Sequence, residues 1–283
     1  MEWHANCLNP LNFWHKGIVM NYFLSRGNLI YRVSKSQLHS SLNNFFEDFY
    51  QLIAIPLVGI APIAIFIHAG RPDLLSYAFV AIVVMTIGQM GLFTGSETIA
   101  IDKRAQIVEL IVSSPTPYYV LIVIRSLVFA ILGTFSILIA WFFIQICFSA
   151  PLNVYHPGLL IGSVLITVFA TAGLSTVTSA LFSLAKNVRT LQASINGPLY
   201  LLGGVLVPVK FLPLWVSYIS PFIFFYWSAT LIRDAMSPEV PQHVAIRFGW
   251  IGLSAMVFFI VGAVLLGRMI DVLRREGTLS LVE

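Results

Sequence analysis

Long apolar stretches that contain almost no Asp, Glu, Lys or Arg follow one another along the chain from residue 52 onward. A helix that crosses a bilayer needs about 20 mostly apolar residues. Seven stretches approach this length: Leu52–Gly70, Leu74–Ser96, Tyr119–Phe148, Gly158–Ala185, Thr190–Val209, Phe211–Ile232 and Phe248–Gly267. The pattern predicts an all-α integral membrane protein.

The sixth stretch, Phe211–Ile232, is predicted to enter the outer leaflet and return rather than to cross. It contains Pro213 and Pro221, and proline removes a backbone donor and breaks a helix. Cytoplasmic loops are enriched in Lys and Arg. With six crossings, eleven of the 16 Lys and Arg residues lie inside and four outside, and Arg125 lies near the boundary. We therefore expect six transmembrane helices, a re-entrant extracellular hairpin between the fifth and sixth, and both termini in the cytoplasm.

The segment that precedes the first stretch, residues 33–50, carries one apolar helical stripe. The residues that share it are Leu38, Leu42, Phe45, Phe46 and Phe49. The opposite side is polar, so this amphipathic helix is predicted to lie in the membrane interface; packing against a cytoplasmic partner is the alternative. The expected division is a cytoplasmic N-terminal segment (1–50), a six-helix transmembrane domain (51–267) and a basic cytoplasmic tail (268–283).

Composition agrees with a bilayer environment and argues against several classes of function. The chain is 58% hydrophobic and 10% charged, with a mean hydropathy of +0.88, whereas soluble domains are about 45–50% apolar and about 25% charged. The net charge of +4 is explained by topology, so no nucleic-acid partner is expected. The sequence contains no GxxxxGK[ST], HExxH or GxSxG motif. We expect no ATPase site, catalytic residue, metal or cofactor in this chain.

The first predicted interior loop, Gly95–Pro117, is the most informative segment. A charged turn, Asp102–Arg104, precedes a short amphipathic helix, and Pro115 and Pro117 end that helix because the residue before proline avoids the helical region. A compact helix held between two crossings is a suitable surface for a cytoplasmic partner. An ordinary basic inner loop explains the same residues, and the pattern alone does not separate the two.

Two regions resemble the permeases of the ABC-2 transporter family. The interior loop matches the family's charged pair, short helix and Ser-Pro with Asp102-Lys103-Arg104, Glu109-Leu110 and Ser113-Ser114-Pro115. Ala105-Gln106 departs from that pattern, in which glycine is frequent. The second region resembles the family's fifth helix, outer hairpin and return to the sixth helix: residues 203–208, Leu212-Pro213-Leu214-Trp215, Ser220-Pro221 and Leu231-Ile232-Arg233.

The resemblance implies a complex of two permease chains, identical or homologous, with two cytoplasmic ATPase subunits that bind ATP and Mg. The interior loop is then the coupling helix that docks on the ATPase. Its expected contact residues are Asp102, Lys103, Arg104, Glu109, Leu110, Ser113, Ser114 and Pro115.

Polar residues in membrane spans and aromatic residues of the hairpin are candidates for the substrate path and gate, since the family lines its path with the second and fifth helices. They are Gln89, Thr94, Glu97, Asn196, Phe222 and Phe225. Helix–helix hydrogen bonds explain the polar residues equally simply, and Glu97 can pair with Lys103 or Arg104. An interfacial aromatic belt is the alternative for the phenylalanines.

The expected function is that of a permease subunit in the cell membrane, which exports a drug, antibiotic, peptide or other amphiphile and is driven by a separate ATPase. Export of lipid or lipid-linked polysaccharide is the alternative within the family. From other classes, a membrane-bound lipid transferase needs clustered carboxylates or histidines, which the sequence lacks. A non-transporting anchor for a cytoplasmic complex needs the interior loop but no polar path.

Overall fold

The computed structural model describes residues 52–54, 57, 75–94, 99, 102, 118–148, 153–182, 188–207, 209 and 212–276. These residues form helices joined by turns, without a strand among them, as the apolar pattern predicts. The helices are α1 (Leu75–Gly88) with a π-helical turn (Gln89–Thr94), α2 (Tyr118–Gly133), α3 (Ser136–Phe148), α4 (Pro157–Phe182), α5 (Val188–Leu202), α6 (Leu214–Ile219) with a 3-10 turn (Ser220–Phe222), α7 (Phe224–Ala235) and α8 (Val244–Glu276).

Four helical segments in the described ranges are long and apolar enough to cross a membrane. They are Leu75–Leu92, Tyr118–Ile146, Pro157–Phe182 and Val244–Asp271. A fifth span is possible by length if the pair Leu214–Phe222 and Phe224–Ala235, which is bent by 90°, counts as one. The chain is therefore a multi-pass membrane protein, and the number of six crossings stays a prediction. The predicted amphipathic helix, most of the predicted first crossing and the end of the tail lie outside the described residues.

The exposed surface of α3 and α8 has the composition that lipid requires. On α3 the exposed side chains include Leu138, Trp141 and Phe142, and on α8 they include Leu253 and Met256. Contiguous apolar surface of this kind is rare on soluble monomers. These two faces therefore suit contact with hydrocarbon.

Small residues bring the long helices α4 and α8 close together. A Cβ placed on Gly262 of α8 would lie 1.9 Å from Oγ1 of Thr176 on α4, and one placed on Gly173 would lie 3.0 Å from the Ala255 carbonyl oxygen. Lipid tails are as apolar as leucine, so helices in a bilayer associate through close packing of this type rather than through the hydrophobic effect. The α4–α8 contact is one of the main packing contacts of the bundle.

Helix α1 lies in the middle of the bundle, and its side chains are buried on nearly every side, from Leu75 to Gly88. Helices α2, α3, α4 and α7 pack around it. Tyr200 of α5 also approaches it so closely that a Cβ on Gly88 would lie 2.2 Å from the Tyr200 oxygen. Gly88 therefore permits the contact between α1 and α5 immediately before the π-helical turn.

Helix α5 ends at Leu202, earlier than the predicted boundary at Val209, because the chain forms a glycine-based helix stop. The Val205 N–H donates to the Tyr200 carbonyl (3.1 Å) and the Gly204 N–H to the Leu201 carbonyl (3.0 Å), which is the Schellman pattern. Gly204 has a φ of +61°, a conformation that costs other residues about 1–2 kcal/mol.

We predict that Gly204→Ala lowers the melting temperature of the detergent-purified protein, by a destabilisation of about 1–2 kcal/mol. The added Cβ would also lie 2.4 Å from Cγ2 of Val209. The matched control is Gly267→Ala, since no atom lies within 4 Å of a Cβ at that helical position and alanine favours helix by about 1 kcal/mol. A Gly204→Ala protein that melts at or above the wild-type temperature would contradict the assigned helix stop.

Candidate functional site

The segment Leu214–Ala235 is a sharply bent hairpin whose turn is held by hydrogen bonds. The Ser220 hydroxyl lies 2.6 Å from the Leu202 carbonyl oxygen at the end of α5 and 2.9 Å from the Val216 carbonyl oxygen. The Trp227 indole N–H donates to the Pro221 carbonyl (2.8 Å). These contacts fix the bend against α5 although the prolines remove backbone donors from it.

The hairpin separates the two aromatic residues that were predicted to form a gate. Phe222 is 81% exposed, whereas Phe225 is fully buried. The Phe225 ring centroid lies 4.1 Å from that of Phe224 and 5.1 Å from that of Tyr200. Phe225 thus packs at the junction of α5 and α7, and Phe222 presents its ring at the surface.

The predicted polar path residues that the structure describes lie on α1 and α5. Gln89 is partly buried at the start of the π-helical turn. Asn196 is partly buried on α5, and its Oδ1 is buried without a hydrogen-bond partner among the described residues. Thr94 ends the π-helical turn, but the structure does not describe the surroundings of its side chain. Glu97 lies outside the described residues.

Asp102 is the one predicted coupling residue in the described ranges, and its side chain points into the protein rather than toward solvent. Its side chain is 5% exposed, and its Oδ2 lies 2.6 Å from a guanidinium nitrogen of Arg125 on α2. The Tyr118 hydroxyl donates to the same oxygen (3.4 Å). Burial raises the pKa of the Asp102 carboxyl, and Arg125 opposes that shift. Docking on an ATPase stays a prediction, and Lys103, Arg104, Glu109, Leu110, Ser113, Ser114 and Pro115 lie outside the described residues.

Two arginines for which the sequence predicted no contact, Arg125 and Arg233, make structural contacts. Arg125 pairs with Asp102, and Arg233 on α7 donates to the Gly204 and Val205 carbonyls (3.0 and 3.1 Å). The signal for Arg125 was available, because a single basic residue in an apolar helix requires a partner. For Arg233 no sequence signal identifies backbone acceptors near residue 204.

The residues described contain no group of three or more His, Cys, Asp or Glu side chains that could hold a metal ion.

The sequence matches a family described as ABC-2 family transporter protein over residues 27–264. The chain belongs to the ABC-2 transporter family. No curated protein matches it. The match covers most of the chain, including the hairpin and the interior loop, and so confirms the resemblance found in the motifs.

ABC-2 permeases are the transmembrane components of ABC transporters and are not themselves the ATPase. Membership therefore implies a partner ATPase. In this permease the Asp102–Arg125 pair connects the segment after α1 to α2, so it joins the interior loop to the membrane bundle.

We predict that Arg125→Met strongly destabilises the permease, by about 3–5 kcal/mol, because it leaves the Asp102 carboxylate buried without its cation. The measurement is thermal stability by size-exclusion chromatography with fluorescence detection. The double variant Arg125→Met with Asp102→Leu should recover most of the loss. Arg268→Met, at an exposed position of α8, is the control. Equal losses in the single and double variants would show that the two side chains do not act as a pair.

Proposed function

We propose that this chain is the permease subunit of an ATP-binding-cassette exporter that moves a drug-like, peptide or other amphiphilic molecule out of the cell. A separate ATPase supplies the energy and binds ATP and Mg. A second permease chain, identical or homologous, completes the path. The observation that carries the proposal is the exposed face of α5.

The exposed face of α5 differs from the lipid-facing surfaces of α3 and α8. It includes Ser194, Gly197 and Pro198 beside Leu191 and Ile195. The Ser194 hydroxyl donates to the Thr190 carbonyl (2.9 Å), and behind this face the buried Oδ1 of Asn196 has no partner among the described residues. Polar groups in membrane segments face protein or a water-filled cavity because exposure to hydrocarbon is costly. This composition supports a path or a second permease chain, rather than lipid, beside α5.

The hairpin has features that suit an outer gate. α7 has 12 residues, which span about 18 Å at 1.5 Å per residue, less than the hydrocarbon thickness of about 30 Å. A 90° bend separates α7 from α6 and the 3-10 turn. Leu214, Tyr218 and Phe222 are each more than three-quarters exposed. A short, bent element with exposed rings supports the re-entrant interpretation and contact with an amphiphile.

Coupling in the proposed exporter runs through the interior loop. ATP binding closes the two ATPase subunits on each other and displaces the docked loop. The buried Asp102–Arg125 pair joins that loop to α2, and α1 enters the loop directly. The ATPase shifts the permease from one state to the other only if the contacts between the two proteins differ between those states. Because Arg125 lies in the first half of α2, its ion pair with Asp102 passes such a difference from the loop to that helix.

We predict that the tagged permease, purified in mild detergent from its native host, brings with it an ATPase subunit that contains a phosphate-binding loop. Glu109→Arg in the interior loop should abolish that recovery, because it reverses a charge on the proposed docking surface. Glu239→Arg, at an exposed position between α7 and α8, is the matched control and should retain the ATPase. A well-folded wild-type permease that recovers no ATPase would contradict the proposal.

A reporter fused after Glu283 tests the six crossings. With a re-entrant hairpin, both termini are cytoplasmic, so a C-terminal green fluorescent protein should fluoresce and a C-terminal alkaline phosphatase should be inactive in a bacterial host. Fusions of the same reporters after Glu239 should give the opposite result. If the phosphatase fused at the C-terminus is active, the hairpin crosses the membrane and the gate assignment is wrong.

A further inference from the structure

Arg233, in the last turn of α7, contacts two separate parts of the bundle. Its guanidinium donates to the carbonyls of Gly204 (3.0 Å) and Val205 (3.1 Å), in the turn that follows α5. The guanidinium carbon lies 4.3 Å from the ring centroid of Tyr77, in the first turn of α1. One side chain on the hairpin thus joins the beginning of α1 to the end of α5.

The contacts of Arg233 combine hydrogen bonding with contact to an aromatic face. One guanidinium nitrogen, Nη2, donates to both carbonyl oxygens, and the guanidinium group lies over the Tyr77 ring, whereas lysine offers a compact point charge. The neighbouring carboxylate, Asp234, pairs with Arg247 of α8. The charge of Arg233 is therefore stabilised by backbone dipoles and by the Tyr77 ring. Its Nε is buried without a partner among the described residues.

The two ends of α7 are attached to α1 and α5 in different ways. At the first turn, Phe225 packs on Tyr200, and its ring would meet a Cβ placed on Gly88 at 3.1 Å. Such apolar packing has little directionality. At the last turn, Arg233 makes charge-assisted hydrogen bonds of defined geometry. Arg233 thus gives the end of α7 a directional contact with the turn after α5 and with α1, in addition to the Ser220 hydrogen bond that holds the bend against α5.

We propose that Arg233 is a positioning residue of the transport cycle, which clamps the hairpin to α1 and α5 so that the movement of these helices is passed to the hairpin. The inference rests on the proposed function, in which α1 and α5 line the path and the hairpin is the gate. Its acceptors are two backbone carbonyls and a ring, so the clamp can shift without leaving a buried carboxylate unpaired.

The test measures the labelling rate of a gate cysteine in the permease–ATPase complex, reconstituted in liposomes. The background is Cys7→Ser with Cys147→Ser, the reporter is Phe222→Cys, and the probe is a membrane-impermeant maleimide. With Arg233 present, the rate should differ by about fivefold or more between the nucleotide-free complex and the vanadate-trapped complex, the low end of usual coupling. With Arg233→Met, the difference should fall below about twofold, while ATP hydrolysis and assembly are retained.

Three further variants separate positioning from a purely structural role. Arg233→Lys keeps the cation and should restore part of the difference in labelling rate. The double variant Asp234→Asn with Arg247→Met removes a different charged contact of α7, the ion pair with α8, and should keep the full difference. Tyr77→Leu removes the aromatic ring but keeps the Arg233 cation, and it should reduce the nucleotide-dependent difference in labelling rate. This variant tests the clamp if the Arg233→Met complex does not assemble.

The inference is overturned if Arg233→Met, or Tyr77→Leu in its place, assembles and keeps the full nucleotide-dependent difference in labelling. It is also overturned if the Asp234→Asn, Arg247→Met control loses the difference to the same extent. If the complex with Arg233 present hydrolyses no ATP, or if labelling of its Phe222→Cys reporter does not depend on nucleotide, the proposed function itself is overturned and the clamp with it.

Discussion

A bilayer offers no hydrogen bonds to a polypeptide, so the backbone groups within it must be satisfied by the protein. This constraint selects helices for the spans, and it acts most strongly where α5 stops at Leu202. There the N–H groups of Gly204 and Val205 donate back to helix carbonyls, the Ser220 hydroxyl lies 2.6 Å from the Leu202 carbonyl oxygen, and Arg233 donates to the carbonyls of Gly204 and Val205. The hairpin can be irregular because its neighbours supply these partners.

The same requirement divides the polar side chains into two groups. On α4, the hydroxyls of Thr167 and Thr171 donate to carbonyls one turn earlier (2.6 and 2.7 Å), and Ser126 bonds to Ser175 across to α2 (2.8 Å). These groups are satisfied and serve packing. A second group has buried oxygens without a partner among the described residues: Ser136 on α3, Ser179 on α4, Asn196 on α5 and Ser228 on α7. Because buried polar atoms are normally hydrogen-bonded, these are the positions in the bundle where ordered water is expected.

The apolar pattern predicted the spans represented by α1, α2–α3, α4 and α8, because hydrocarbon thickness fixes their length. The interior-loop and hairpin motifs identified the family. The pattern could not place Phe222 at the surface and Phe225 in the core, since the 90° bend at Ile223 reorients the chain between them. It also missed that Asp102 faces Arg125, because the two are brought together by tertiary packing rather than by helical spacing. Gly204 is a typical residue for a helix C-terminus, but the prediction extended the helix past it because it lies within a long apolar stretch.

Helix α1 lies between two charged contacts, the one that Arg233 makes with Tyr77 and the Asp102–Arg125 ion pair. Tyr77 in its first turn lies under Arg233, and the chain beyond its π-helical turn leads to Asp102, which is paired with Arg125. From Tyr77 to Thr94 the helix extends roughly 25 Å, and its part up to Gly88 is buried on almost every side. A buried, close-packed helix cannot bend freely, so a displacement at one end must be carried along it or absorbed at the π-helical turn. In the proposed exporter, that turn is where the inner and outer halves of the path can move separately.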